Sequence, residues 1–204
     1  LARFGIMSSH TWRDDPKRLV FVLSRYKFVS KMLSGKASVL EVGCADAFGT
    51  RIVQQEVGEV TAADFDPVFL DDAAERMEKD GWPCRLVVHD MLSGPVPGDF
   101  DAAYSLDVIE HIPQANEEAF VGNIARSLKP NGVAVIGCPS LQSQEYASRA
   151  SREGHVNCKD GKELKSLMER FFENVFLFSM NDEVVHTGFH PMAHYLFALC
   201  VGRK

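Results

Sequence analysis

Short apolar runs alternate with segments of helical periodicity along most of the chain. Helices are predicted near residues 50–57, 67–79 and 116–128, each between two of these runs. Strands that are separated by helices pair in parallel through right-handed crossovers. Five runs are expected to be buried strands of this kind: Val39–Val42, Val60–Ala63, Leu86–Val88, Ala102–Tyr104 and Val133–Ile136.

The pattern changes at both ends of the chain. Before the first strand, Asp14 or Asp15 followed by Pro16 predicts the start of a helix. After a helix at about 160–171, two strands near Asn174–Ser179 and Tyr195–Val201 have no helix between them. We therefore expect one α/β domain, with helices on both faces of a mostly parallel seven-stranded sheet that ends in an antiparallel hairpin.

Composition and charge favour a globular domain over a membrane protein or a nucleic-acid-binding protein. The 204 residues suit one globular domain, and no apolar run approaches the roughly 18–20 residues of a membrane span. Residues 1–7 lack the pattern of a secretory signal.

The net charge of −6 disfavours a nucleic-acid partner, RNA included, despite a basic cluster from Arg13 to Lys31. Five scattered cysteines without a CxxC pair predict a reducing, cytoplasmic location. The choice between a monomer and a homodimer stays open.

A tight turn follows the first predicted strand, and an acid ends the second. Gly43 and Gly49 bracket the turn, and Asp64 lies one crossover later. Ligands of open α/β sheets bind beyond the carboxyl ends of the strands, where a carboxylate can accept hydrogen bonds from both hydroxyls of a ribose. The alternative is that both glycines serve only the turn and that Asp64 only starts a helix.

The residues of this turn do not suit a dinucleotide. The fingerprint G-x-G-x-x-G, aligned on Gly43, requires glycines where Ala45 and Phe48 stand. S-adenosylmethionine (SAM) has no phosphate and needs a less open turn, and Glu41 beside it can counter the cationic part of that molecule. The turn therefore favours SAM over NAD.

The segment Glu41-Val42-Gly43-Cys44-Ala45-Asp46-Ala47 resembles the E/D-x-G-x-G-x-G motif of class I SAM-dependent methyltransferases, which have a Rossmann-like fold. Ala45 and Ala47 replace two motif glycines, and because alanine disfavours positive φ, altered cofactor affinity is expected. The resemblance runs from about residue 38 to 137, and four later segments are also similar to motifs of the family: Thr61–Asp66, Val88–Met91, Phe100–Ile112 and Leu128–Gly132.

The resemblance implies a cofactor site residue by residue. Asp64 would bind the ribose hydroxyls, and Phe65 would lie against the adenine ring. Asp90 would accept from the adenine amino group while the Met91 amide meets a ring nitrogen. Core packing is the alternative for Phe65, Met91 and Leu106. The residues expected around the methionine moiety are Glu41, Gly43, Cys44, Ala45, Ser105 and Leu106. Residues 38–204 are thus expected to form the SAM-binding domain, with residues 1–37 as an arm and helix that cover the cofactor or substrate.

Two residues after the fourth strand are the predicted catalytic pair. Transfer of a methyl group from a sulfonium chiefly requires alignment of the acceptor and exclusion of water. A general base adds about a hundredfold or more when the acceptor is a hydroxyl. Histidine as a residue type suits proton removal near neutral pH, so His111 is the candidate base, and Glu110 stands beside it. The alternative is that both residues only hold the turn together.

A metal ion is a second use of the same segment. Asp107, Glu110 and His111 resemble the E-x-x-E-H site of ubiquinone-pathway O-methyltransferases and small-RNA 2′-O-methyltransferases, where Mg²⁺ orients the acceptor hydroxyl. His155 would be the further ligand, and Asp107 replaces a glutamate of that pattern. Many relatives keep Glu-His without a metal, so no metal is assigned.

The acceptor pocket is expected between two segments. One is the polar stretch Ser140–Lys159, with a short helix around Gln144–Arg152; its alternative is a solvated loop. The other precedes the first strand and supplies His10, Trp12, Arg25 and Tyr26. His186 and His190 are interpreted as bystanders.

These observations predict an enzyme that methylates a small polar acceptor, at an oxygen atom of a sugar or other small metabolite. One alternative is an NAD(P)-linked oxidoreductase, which would need an open glycine turn and a Tyr-x-x-x-Lys pair that Tyr146 does not supply. Another is a SAM-binding domain without catalytic activity.

Overall fold

The computed structural model describes residues 3–188 and 191–204, so His190 lies outside the described residues. One mixed sheet runs through this part of the chain. Its strands are β1 (Ser38–Val42), β2 (Glu59–Asp64), β3 (Arg85–Val88), β4 (Phe100–Leu106), β5 (Leu128–Pro139), β6 (Phe172–Asn181), β7 (Val184–Thr187) and β8 (Tyr195–Arg203). Their order across the sheet is β3-β2-β1-β4-β5-β8-β6-β7.

Helices cover both faces of this sheet. They are α1 (Ile6–Asp14), α2 (Pro16–Met32), α3 (Thr50–Val53), α4 (Pro67–Asp80), α5 (Glu117–Arg126), α6 (Arg149–Gly154) and α7 (Gly161–Met168). Short 3₁₀ helices occupy Ile109–His111, Gln114–Asn116 and Leu141–Tyr146. In the part of the chain that the structure describes, no helix has both the length and the apolar character that crossing a membrane requires.

The pairing of the strands confirms the predicted α/β class. Strands β1 to β5 pair in parallel, whereas β8 runs antiparallel between β5 and β6. The predicted number of seven strands is wrong, because β7 adds an eighth strand to the sheet within the described residues. Sequence patterning missed β7 because its four residues are largely exposed and pair only with the edge of β6.

The core lies on both sides of the parallel strands. Successive side chains of a strand point to opposite faces. Leu40 therefore packs toward α5 and α7, whereas Val39 packs toward α2. The predicted start of α2 is confirmed, since the Asp15 side chain accepts a hydrogen bond from the Lys17 N–H at 3.2 Å and Pro16 is the first helical residue. The carboxyl ends of β1, β2, β4 and β5 meet at one rim, where the residues of the candidate site lie.

Candidate active site

The turn after β1 combines glycine and alanine in left-handed conformations. The φ angle is +76° at Gly43, +45° at Ala45 and +50° at Ala47. A Cβ at Gly43 would overlap the side chain of Val108, so only glycine fits there. An alanine in this conformation costs roughly 1–2 kcal/mol. Ala45 and Ala47 therefore have the positive φ angles that alanine disfavours, as expected from the sequence.

Asp64 joins this turn to the end of β2. The side chain is 7% exposed, and its Oδ2 accepts from the Ala45 N–H at 2.8 Å while Oδ1 accepts from the Asp66 N–H at 3.0 Å. Each carboxylate oxygen has a second lone pair, so Asp64 can still accept from two ribose hydroxyls. The cap of α4 is Asp66, whose side chain accepts from the Val68 N–H at 2.9 Å. Asp64 is thus not the residue that starts the helix.

The residues expected around adenine differ in their exposure. Phe65 is 74% exposed, which excludes core packing and leaves its ring open for stacking. Asp90 is also exposed, and its Oδ1 accepts from the Leu92 N–H at 2.8 Å. The Met91 side chain is buried, and the carbonyl of Met91 accepts from Asn123 Nδ2 at 2.7 Å. Met91 can therefore meet a ligand only through its backbone, as the resemblance implies.

Three residues expected near the methionine moiety are buried. The Ser105 hydroxyl donates to the Val42 carbonyl at 2.9 Å and so ties β4 to β1. Leu106 packs into the core beside α2. Burial also raises the pKa of the Cys44 thiol, which stays neutral. Because these side chains are buried, a ligand at the rim can meet these residues only through their backbones.

Glu41 lies beneath the turn and is 1% exposed. Its carboxylate accepts from Tyr26 Oη at 3.0 Å, Thr50 Oγ1 at 2.5 Å and Tyr104 Oη at 2.7 Å. Burial raises the pKa of Glu41 to about 7, against the lowering effect of these three hydrogen bonds. Tyr26 belongs to this buried group and does not line the acceptor pocket, contrary to the expectation from sequence.

Glu110, His111 and His155 converge beyond β4. One potential ligand atom of each lies within 4.8 Å of the others, and the two imidazole rings are 5.0 Å apart. His111 Nδ1 lies 2.9 Å from the Gly154 carbonyl, and His155 Nδ1 lies 2.9 Å from Gln144 Oε1. Because these oxygens can only accept, both Nδ1 atoms carry a proton, and in the neutral form of each ring the lone pair is on Nε2.

The protonation of this group follows from its surroundings. Glu110 is 1% exposed, and its Oε2 has no hydrogen-bond partner among the residues described. Burial raises the pKa of Glu110 well above its usual range, and the neighbouring Asp107 raises it further. Burial and the nearby His111 lower the pKa of His155, which favours the neutral ring. The surroundings of His155 therefore favour an uncharged nitrogen base over a cation.

Asp107 does not join the cluster of Glu110, His111 and His155, because Arg25 binds its carboxylate. Asp107 has a φ of +58°, and both of its carboxylate oxygens lie 2.7 Å from Arg25 Nη1. The Arg25 guanidinium also lies 3.9 Å from the centre of the Tyr195 ring. In the described ranges, the group of potential metal ligands contains Glu110, His111 and His155 but not Asp107.

The stretch from 140 to 159 is anchored at its two ends, by Ser140 and by Asn157 and Lys159, whereas the short helices between them contain no buried residue. Lys159 is 5% exposed, and its Nζ lies 2.6 Å from Glu117 Oε2 and 2.7 Å from Asn157 Oδ1. The Asn157 N–H donates to the Glu110 carbonyl at 3.0 Å. These contacts fix the segment that carries His155 against α5. Sequence reasoning missed them, because a lysine in a polar stretch carries no signal of burial.

The remaining acceptor-pocket candidates lie on α1. His10 and Trp12 are both exposed, and His10 Nδ1 lies 3.3 Å from Asp14 Oδ2. A cavity of about 600 Å³ lies elsewhere, at the amino ends of the strands, where Ser38, Glu59, Arg85 and Phe100 line it. It is remote from the rim that carries Asp64 and His111.

Comparison with known proteins finds a sequence match in the segment that contains the turn after β1 and Asp64. Residues 39–132 match a family model described as a methyltransferase domain. The chain is 28% identical over 181 residues to a ubiquinone biosynthesis O-methyltransferase of Xanthomonas euvesicatoria pv. vesicatoria, covering 78% of this chain and 72% of that one. It is 24% identical over 163 residues to the protein of the same name from Rickettsia canadensis, covering 72% and 65%. The chain thus spans about two thirds of the length of that relative.

Solved structures share the whole fold. The N-methyltransferase NodS of Bradyrhizobium japonicum WM9, in complex with S-adenosyl-L-homocysteine (SAH), superposes with a TM-score of 0.72 at 17% identity, over 95% of this chain and 91% of that one. A SAM-dependent methyltransferase of Clostridium acetobutylicum gives a TM-score of 0.75 at 12% identity, over 95% and 96%. The matched segment carries both the turn and its acidic partner, so the sequence match and the shared fold point to the same site.

Proposed function

We propose that this chain is a class I SAM-dependent methyltransferase that acts on an oxygen atom of a small polar acceptor, a sugar or another small hydroxylated metabolite. The observation that carries the proposal is the convergence of Glu110, His111 and His155 beyond β4, with Nδ1 of each ring bound to an acceptor oxygen. A hydroxyl must lose its proton when it is methylated, and a neutral imidazole can accept that proton. The relatives named above as O-methyltransferases agree with an oxygen acceptor.

In this proposal, each group of cofactor-binding residues contacts a different part of SAM. SAM supplies an activated methyl group when it is bound. Asp64 accepts from the ribose, and the Phe65 ring and Asp90 face adenine. The backbone around Gly43 faces the methionine moiety. The fit rests on the two spare lone pairs of Asp64 and on the exposed Phe65 ring.

His111 is the proposed general base. Its Nε2 accepts the proton of the acceptor hydroxyl, and the Gly154 carbonyl stabilises the resulting imidazolium through Nδ1–H. The contact of Asn157 with the Glu110 carbonyl holds the two segments of the site together. The proposed catalytic residues are therefore His111 and, beside it, Glu110.

A divalent metal ion is the second candidate for the same three side chains. The buried Glu110 Oε2 lacks a partner within the described ranges, and a hydrogen bond at Nδ1 orients each imidazole, as in many metal sites. Two nitrogens and one oxygen suit Zn²⁺, Mn²⁺ or Fe²⁺ better than Mg²⁺, which prefers oxygen ligands. The engagement of Asp107 by Arg25 removes an oxygen that Mg²⁺ would need.

Incubation with SAM and a panel of acceptors tests the proposal. The panel pairs sugars and other polyols with their amino analogues, and the methylated atom is identified by mass spectrometry and NMR. We expect a methyl ether and release of SAH. Methylation of nitrogen or carbon alone would refute the oxygen acceptor. Full activity in EDTA supports the general base, whereas loss that Mn²⁺ or Zn²⁺ restores supports the metal.

The expected location also remains a proposal. All five cysteines fall in the described ranges and are free thiols. This agrees with a reducing compartment such as the cytoplasm.

A further inference from the structure

The cofactor turn is strained at two positions. Ala45 and Ala47 have φ angles of +45° and +50°, a region that residues with a Cβ rarely adopt. Such a conformation persists only where surrounding contacts determine it. Part of the turn is held by the hydrogen bond from the Ala45 N–H to Asp64. Further contacts with the turn come from α1, a part of the chain that is far from the motif in sequence.

Asp46, between the two alanines, is the residue that these contacts meet. It is 4% exposed, and its Oδ2 accepts from the Ser8 N–H at 2.7 Å. The Ser8 hydroxyl lies 3.3 Å from Oδ1, which also accepts from the Phe48 N–H at 3.1 Å. Helix α1 thus supplies two of the three hydrogen bonds that this carboxylate receives from other residues.

The start of α1 also fits closely against Asp46. A Cβ at Gly5 would overlap the Asp46 carboxyl group. The φ of Gly5 is −77°, which any residue can adopt, so glycine is required here for close approach and not for its backbone freedom. Beside this contact, the Phe4 ring meets the Phe48 ring edge to face at 5.2 Å.

Helix α4 connects the arm and the turn from the other side. Arg76 is 1% exposed, and its guanidinium donates to the Asp46 carbonyl and, through Nε, to Asp72 at 3.2 Å. Asp72 Oδ2 also accepts from the Ile6 N–H at 3.3 Å. The same two residues of α4 therefore contact the turn and the first residue of α1.

We infer that docking of the N-terminal arm, residues 3–14, onto Asp46 holds the strained turn in the conformation that binds SAM. Gly5 and Ser8 are then positioning residues for the cofactor, although they lie outside the family motif. By thermodynamic linkage, cofactor binding and arm docking strengthen each other. The inference concerns cofactor binding alone and does not depend on the acceptor or on His111.

Calorimetric titration with SAH tests this coupling. Gly5→Ala should displace the arm without altering any residue of the turn itself, and we expect it to weaken SAH binding about tenfold. The matched control is Ser9→Ala, an exposed position of α1 that should leave the affinity unchanged. Unchanged affinity in Gly5→Ala would overturn the inference.

A rescue experiment separates positioning from direct contact with the cofactor. Ala45→Gly relieves strain in the turn, so Gly5→Ala in that background should lose less affinity, about threefold instead of tenfold. An equal loss in both backgrounds would show that the arm does not act through the turn. Hydrogen exchange of the native chain provides a readout without any variant: SAH should slow exchange of the Ser8 amide about tenfold. An unchanged exchange rate would contradict the coupling.

Discussion

The backbone N–H of Ala45 donates a 2.8 Å hydrogen bond to Asp64, so the cofactor turn and the acid that ends the neighbouring strand form one unit. Ala45 follows β1 and Asp64 ends β2, and these two adjacent parallel strands pair through Val42 and Ala63. The acid therefore shapes the turn before any ligand arrives. A change at either residue should affect both the stability of the turn and the binding of the cofactor.

Asp64→Ala should weaken SAH binding by about 1–3 kcal/mol, because it removes charge-assisted hydrogen bonds to the ribose and to Ala45. Isothermal calorimetry measures the change. Asp66→Ala is the matched control: it removes the cap of α4 and should lower the free energy of unfolding by about 1 kcal/mol. Its SAH affinity should stay close to that of the native chain. Equal affinity of Asp64→Ala and the native chain would remove Asp64 from the site.

Ala45→Gly should increase the free energy of unfolding by about 1 kcal/mol, since glycine adopts the observed φ without a steric cost. Urea denaturation at constant pH gives this value. Ala74→Gly provides the contrast, because Ala74 is exposed within α4 and the same substitution in a helix should cost about 1 kcal/mol. Destabilisation by both substitutions would show that the turn at Ala45 is not strained.

Glu41 predicts a specific dependence of stability on pH. Burial raises its pKa in the folded chain from 4.5 to about 7, so the folded state holds a proton that the unfolded state releases in this interval. The stability is fully present below pH 4.5 and is lost as the pH rises through about 7, in total about 3 kcal/mol.

Glu41→Gln should remove this loss, because its Oε1 can still accept from Thr50 and Tyr104 while its amide NH2 can donate to Tyr26 Oη. Urea denaturation between pH 5 and 8 compares the two chains, with the exposed Glu59→Gln as the control that should follow the native profile. A Gln variant that loses stability with rising pH as steeply as the native chain would refute the assignment. Comparison of SAM with SAH binding then tests the role of Glu41 as a countercharge, because SAH lacks the sulfonium.

His111→Ala should lower kcat about a hundredfold or more at an unchanged SAH affinity, because the proton of the acceptor then has no base. His186→Ala, at an exposed histidine of β7, should leave kcat unchanged. Stopped assays of SAH release provide kcat for both variants. Unchanged turnover in His111→Ala would exclude this residue from the mechanism.

The features that follow from local pattern were predictable from the sequence. The runs around Val39, Val60 and Val133 gave the parallel strands because buried strands are continuously apolar. The turn at Gly43 and the acid at Asp64 were recognisable because both follow strands whose carboxyl ends meet at one rim. The exposed Phe65 ring agrees with the role that the resemblance implies, but that role stays a prediction.

Long-range pairings between polar residues were not predictable. The engagement of Asp107 by Arg25 joins residues from α2 and the end of β4, and nothing in either segment indicates the pairing. The buried Lys159–Glu117 contact and the docking of Ser8 on Asp46 are of the same kind. Short exposed strands such as β7 are also not predictable from the sequence, because they lack a buried face and hence a periodic pattern of apolar residues.

Titration of the native chain with SAH and, separately, with NADH tests the central claim most directly. The residues of the turn, with Asp64 beside it and no phosphate-binding glycines, predict saturable binding of one SAH per chain and no binding of NADH. Binding of NADH with no binding of SAH would contradict the account.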